Sequence, residues 1–315
     1  MECPWGAKFR YPALVLLMAG FLLHPFLASA GPLISINPAH VELTATPGGH
    51  LASSFKFWNG TSTDLLVHLQ AADFTPQGEE GQILVDGEED PINSLKDWVT
   101  LAAPDVNVPA GEEPTIDFSL DVPANASPGS HWGTLLTVLA PQGTGPGTAV
   151  QTRFGLLILV RVLGDVREKL VLESASVPHF TDSPPITVEA RFRNEGTVHE
   201  APQGTIEVRN MFGALVATGT LPVRNVLPGV IRKVDVSVGD SGFWLGRYTV
   251  LLSAAYGDKG EELTARRVVW IIPWRRYGFW MLGTLALFIW VLAAPQRFKR
   301  AWYEFKTGLP PPKDL

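Results

Sequence analysis

The chain has 315 residues, of which 46% are hydrophobic, and carries 25 basic against 31 acidic side chains. Residues 31–163 hold 15 acidic and four basic groups and residues 164–276 hold 13 and 14, so the first half excludes nucleic acid and anionic surfaces as partners and could attract cationic ones. The single cysteine, Cys3, excludes disulfides and a thiol catalyst from everything after it, so the protein must fold by core burial alone.

In chain order, Lys8 and Arg10 precede an apolar run from Ala13 to Leu23, and Ala28-Ser29-Ala30 has the small-x-small spacing of a signal-peptidase site. Residues 1–30 therefore predict a signal peptide cleaved after Ala30. Cys3 lies before the apolar run, so it is no lipid-attachment cysteine. Beyond Ala30, alternation dominates. In "TIDFSLDV", Ile116, Phe118, Leu120 and Val122 share one face, and "ITVEARFR" and "RYTVLLSAAYG" repeat the pattern through Phe192 and Tyr256. Period two with Gly, Pro and Asn clusters between predicts antiparallel strands packed as two-sheet sandwiches. The first unit is expected over 31–163, ending in "RFGLLILVRVL", and the second over 164–273. Their short link, "GDVREK", limits the orientations open to them.

"YGFWMLGTLALFIWVLAA" (Tyr277 to Ala294) is uncharged, flanked by Arg275 and Arg276 on one side and by Arg297, Lys299 and Arg300 on the other. Its length and its Trp and Tyr ends predict a transmembrane helix, 274–296 with flanks, followed by a short basic cytoplasmic tail, 297–315. That topology places the protein in the cell membrane as a single-pass protein with its ectodomain outside the cytoplasm. Membrane lipid is then an expected partner through the helix.

Motifs that invite chemistry have simpler explanations. "GDSG" (Gly239 to Gly242) matches a serine-protease fragment, but Phe243 follows it and no histidine segment accompanies it, so Ser241 is read as a turn residue. "GTGPG" (Gly143 to Gly147) lacks the helix a phosphate loop needs and reads as a hairpin connection. His24, His40, His50, His68, His131, His179 and His199 show no zinc spacing, and His199 is expected as a surface or capping residue. "EEGQILVDGEED" (Glu79 to Asp90) matches no calcium-binding loop pattern; solvated hairpin and calcium site both stay open. Asn59-Gly-Thr61 and Asn125-Ala-Ser127 are glycosylation sequons. No catalytic set, metal site, cofactor, nucleic acid or small-molecule substrate is assigned, and the ligand-binding residues are unknown at this stage.

The run "SLKDWVTLAAPDVNVPAGEEPTIDFSLDVPANASPGSHWGTLLTV" (Ser94 to Val138) resembles the N-terminal domain of WxL-interacting proteins, bacterial surface proteins with tandem immunoglobulin-like domains and a C-terminal membrane anchor. The resemblance implies that the first domain binds peptidoglycan and the second a surface protein. Its pieces also have structural causes: the Gly and Pro residues make turns, and Trp98 and Trp132 fill the core. Together these features predict an all-β protein of two tandem immunoglobulin-like β-sandwich domains plus one C-terminal transmembrane α-helix. Its expected role is a non-enzymatic, membrane-anchored envelope scaffold that binds peptidoglycan or an envelope protein. Two readings compete with this. One is a periplasmic two-domain assembly chaperone, using an exposed strand edge and a basic cleft. The other is an accessory subunit docking a membrane complex through Gly283, Thr284 and Ala286.

Overall fold

The computed structural model describes residues 33–85, 92–139, 152–242 and 244–308, excepting the side chains of 276 and 291–301. Residues 1–30, expected as a signal peptide, the Gly143 to Gly147 stretch and residues 86–90 of the acidic stretch lie outside the described residues. The described chain is mostly β, with sheets stacked in sandwich fashion.

Alternation becomes layers in the first half. A four-stranded sheet is ordered β1 (Ile34–Asn37), β3 (His50–Asn59), β9 (Thr115–Asp121), β7 (Val99–Leu101). A five-stranded sheet is ordered β2 (His40–Ala45), β11 (Arg153–Val162), β10 (Gly129–Leu139), β4 (Leu65–Ala72), β8 (Asp105–Val108). Their core contains Phe55, Phe57, Trp98, Phe118, Leu135 and Ile158. In β9 the side chains of Ile116, Phe118 and Leu120 are buried while Thr115, Asp117 and Asp121 are exposed. The chain changes sheets at Pro38: β1 pairs with β3, and β2 runs parallel to β11 from His40 opposite Leu157 to Ala45 opposite Val162.

The second half repeats the plan. Strands β12 (Leu170–Ser176), β14 (Ile186–Asn194) and β17 (Ile231–Val238) form one sheet. The other is ordered β13 (Phe180–Thr181), β19 (Glu261–Ile271), β18 (Gly246–Tyr256), β15 (Gln203–Arg209), β16 (Leu215–Thr220). Phe192, Ile206, Val234, Tyr248 and Val250 belong to its core. Here too the first strand divides, since β12 pairs with β14 while β13 runs parallel to β19.

A matching asparagine ends the corresponding strand in each half. Asn59, fully buried at the end of β3, donates through Nδ2 to the Thr63, Val108 and Pro109 carbonyls and accepts from the Thr61 N–H and hydroxyl. Asn194, at the end of β14, donates to the Val198 and Val226 carbonyls at 2.7 Å and accepts from the Gly196 N–H at 2.8 Å. Each amide stitches the loop after its strand to a loop distant in sequence and satisfies carbonyls that would otherwise be buried bare.

A hairpin, β5 (Phe74–Gln77) and β6 (Gln82–Val85), lies across the outer face of the five-stranded sheet. Phe74 packs with Trp132 and Leu159, and Val85 packs against Leu136 and Val138. Every position of β10 is consequently buried. Trp98 lies in the main core as expected. Trp132 lies on the opposite side of its sheet, beneath the hairpin, where its indole N–H donates to the Phe74 carbonyl at 3.2 Å.

The C-terminal segment departs from expectation. One helix, α1 (Trp274–Thr307), runs 34 residues and ends on Gly308, whose positive φ of 64° and N–H bond to the Glu304 carbonyl close its last turn. Helix therefore continues through much of 297–315, the stretch expected as a short basic cytoplasmic tail. Among the described residues, no helix is long and apolar enough to cross a membrane. The transmembrane span over Tyr277 to Ala294, the single-pass cell-membrane location and the lipid partner are corrected on that ground.

Candidate functional site

The two halves meet along several sets of contacts, three of them away from the cleft. First, the hairpin tip reaches across: the Lys233 N–H donates to the Glu79 carbonyl at 2.7 Å, while Glu79 pairs with Arg191 at 2.9 Å and Glu80 with Lys233 at 3.0 Å. The bond to Lys233 holds the Glu80 carboxyl below its ordinary range. Glu79 and Glu80 thus serve as an inter-sheet clamp, a role invisible in "EEGQILVDGEED" itself.

Second, Arg161 of β11 bonds Glu168 at 2.5 Å and Asp258 at 2.9 Å, and the Asp258 N–H donates to Glu168 at 3.0 Å. Third, the Ser130 hydroxyl accepts the His199 backbone N–H at 2.7 Å and shares a hydrogen bond with His199 Nδ1 at 2.6 Å. His199 was expected as a surface or capping residue; it lies in this junction instead, where burial pushes its imidazole below the usual histidine value. Beside it Glu200 is only 5% exposed. Burial, assisted by the Glu168 charge, pushes its carboxyl up to about 7.

Between the halves opens a cleft of about 250 Å³. Phe74, Leu157, Leu159 and Leu227 supply apolar wall, and Ala39, His40 and Glu42 bring the start of β2 to its rim. Asn225 donates to Glu42 across it at 2.5 Å. Arg224 and Arg232 also line it, and no ion pair joins either to a carboxylate among the described residues. Burial and then the Arg224 charge hold Arg232 below its ordinary value. The hairpin turn meets this guanidinium at Gly81, whose positive φ of 85° and missing Cβ leave the space that Arg232 occupies.

The motif residues fall elsewhere. Ser241 is exposed in the turn before β18, as expected of a turn. His50 and His68 pair with Asp121 and Asp105 at 2.7 and 2.8 Å on the surface, and buried His131 packs against Trp98 with ring centres 4.5 Å apart and planes tilted by 43°. His40 stands at the cleft rim. Among the described residues, no group of three His, Cys, Asp or Glu side chains could hold a metal ion. Arg161, Glu200, Arg224 and Arg232 were not singled out from the sequence. Arg161 meets Asp258 across the junction and Glu200 meets Gly257, pairings that no spacing rule links, and the last two stand eight apart in a loop and a strand.

No family model matches the sequence, and no curated protein matches it. Solved structures similar to the chain include the class 5 fimbriae chaperone CfaA (10% identical, 75% of this chain and 98% of that one, TM-score 0.37). Others are the CupB2 chaperone of Pseudomonas aeruginosa (11%, 75% and 100%, TM-score 0.36) and the E. coli chaperone DraB (9%, 74% and 95%, TM-score 0.35). All three are chaperones, CfaA one of fimbriae, and none is a WxL-interacting surface protein. The family resemblance drawn on Ser94 to Val138 is corrected accordingly, and with it the peptidoglycan-binding, membrane-anchored scaffold. Structural duties account for the run: Leu95 and Trp98 are core, the Val108 and Pro109 carbonyls hold Asn59, and Trp132 sits under the hairpin.

Proposed function

We propose that the chain is a two-domain assembly chaperone that binds an extended, acidic segment of a client protein in the cleft between its domains. The domains are tandem immunoglobulin-like β-sandwiches over 31–163 and 164–273, and residues 1–30 act as an export signal. The role is binding without catalysis. One observation carries this reading: Arg224 and Arg232 line an otherwise largely apolar cleft without a carboxylate partner among the described residues, beside the outermost strand β2. An edge strand offers main-chain donors and acceptors to an added strand, apolar walls take its alternate side chains, and guanidinium groups favour carboxylates.

The test uses the full chain and a fluorescent peptide of alternating Val and Asp with a free C-terminal carboxylate. Anisotropy should report binding that Arg224→Gln and Arg232→Gln each weaken about tenfold, a change of ~1.4 kcal/mol. A peptide with Lys in place of Asp should bind far less. Equal binding of the two peptides, or no loss in either variant, overturns the proposal.

A further inference from the structure

Glu200 is built into the junction with an unmet need. Its Oε2 accepts the Gly257 N–H at 3.0 Å, while its buried Oε1 has no hydrogen-bond partner among the described residues. A carboxylate removed from water and given one neutral donor favours its protonated form. The charged and titratable groups facing it come from several elements: Arg161 on β11, Glu168 on the link before β12, and Tyr256 and Asp258 at the end of β18. Glu261 of β19 stands behind Tyr256, bonded to its hydroxyl, and His199 precedes it in the chain. Arg161 already serves both Glu168 and Asp258. A charge on Glu200 therefore adds a third carboxylate to a site with one guanidinium.

The same residue is wired to the cleft. Glu200 and Val226 exchange backbone hydrogen bonds at 3.1 and 2.8 Å, and Val226 follows Arg224 and Asn225 in the cleft wall. Asn225 in turn reaches Glu42 on β2. Repulsion at Glu200 thus acts on the contacts that tie β11 to the second half and on the segment that carries the cleft's cations.

We propose that the junction is a proton-operated hinge, closed while Glu200 is protonated and loosened when it ionises beside Glu168 and Asp258. Its consequence for client binding rests on the cleft function proposed above; the hinge itself does not. Burial holds the His199 imidazole below its ordinary value and favours its neutral form, whereas it favours the protonated, neutral form of Glu200.

The experiment measures distances by pulsed electron resonance in the full chain, with Cys3→Ser and spin labels at Asp117→Cys and Thr218→Cys, one exposed site on each half. Between pH 6 and pH 8.5 the distribution should shift or broaden, with its half-change near 7. Glu200→Gln should keep the pH 6 distribution throughout. Glu168→Gln, which removes a repelling charge, should move the half-change to lower pH. An unchanged distribution across the range, or a transition that persists in Glu200→Gln, overturns the hinge. Should Glu200→Gln fail to fold by circular dichroism, an unmoved half-change in Glu168→Gln overturns it instead. A hinge that moves while the acidic peptide does not bind would leave the hinge standing and sink only the cleft function.

Discussion

Asn194→Ala tests whether a single buried amide holds the second half's loops together. The substitution removes two donated bonds of 2.7 Å and one accepted bond of 2.8 Å. At ~1 kcal/mol net for each bond, the loss is about 3 kcal/mol before any penalty for carbonyls left bare. The Val226 carbonyl keeps a second donor, the Glu200 N–H, so only the Val198 carbonyl adds a penalty, of about 1 kcal/mol. The expected total is roughly 4 kcal/mol, a large share of the stability of a domain this size. Urea unfolding followed by tryptophan fluorescence would show it. With a slope of about 1.5 kcal/mol per molar, the transition of the second half should fall by ~2–3 M while that of the first half stays in place. A loss below 1 kcal/mol, or an equal fall in both transitions, would refute the assignment of Asn194 as a loop anchor.

Other outcomes follow from the same geometry. Secreted from a eukaryotic host behind a host leader, the protein should carry glycan on exposed Asn125 and none on Asn59, whose amide is fully buried and bonded; peptide mapping by mass spectrometry decides this. Trp132→Ala should cost about 3–5 kcal/mol and make the hairpin turn at 78–81 protease-sensitive, because the hairpin loses its main apolar anchor. For Glu200 the folded carboxyl titrates near 7 against an ordinary 4.5, so the folded state holds its proton longer than the unfolded chain. Stability is thus fully present below 4.5 and is lost progressively up to about 7, by roughly 3 kcal/mol. Glu200→Gln should flatten that part of the pH–stability curve; a wild-type curve already flat there contradicts the shifted carboxyl.

Strand alternation was legible because each strand has one wet face: Asp117 against Phe118 and Arg193 against Phe192 are read straight from the order of residues. The signal fails at β10, where "GSHWGTLLTVL" is buried on both sides. Its second cover comes from Phe74 and Val85 in a hairpin more than 40 residues earlier, and nothing local marks Trp132 as belonging to that face. The helix posed the reverse problem. Its apolar composition was plain, but the continuation past residue 296 and the span it presents depend on where the chain stops being helical, which Gly308 decides by its left-handed turn.

The candidate site was illegible for a different reason. Arg161 and Asp258 are 97 residues apart, and Glu42 and Asn225 are 183 apart. No periodicity joins such pairs; they meet because each half repeats one plan and places its loops against the other's. The repetition itself leaves a trace in "FWNGT" and "FRNEGT", where the asparagine ends corresponding strands. The two asparagines then diverge in what they hold. Asn59 anchors the Val108-Pro109 turn within its own half, whereas Asn194 holds Val226, the residue that exchanges bonds with Glu200 and follows Arg224 and Asn225 of the cleft. A copied fold-stabilising residue thus fastens the segment on which both the cleft and the hinge depend. Coupling follows from that placement: Asn194→Ala should broaden the spin-label distances at pH 6, where Glu200 is protonated, and Asn59→Ala should not. Equal broadening in both variants would show that the junction is sensitive to any loss of stability, and would remove the second half's loop from the pathway.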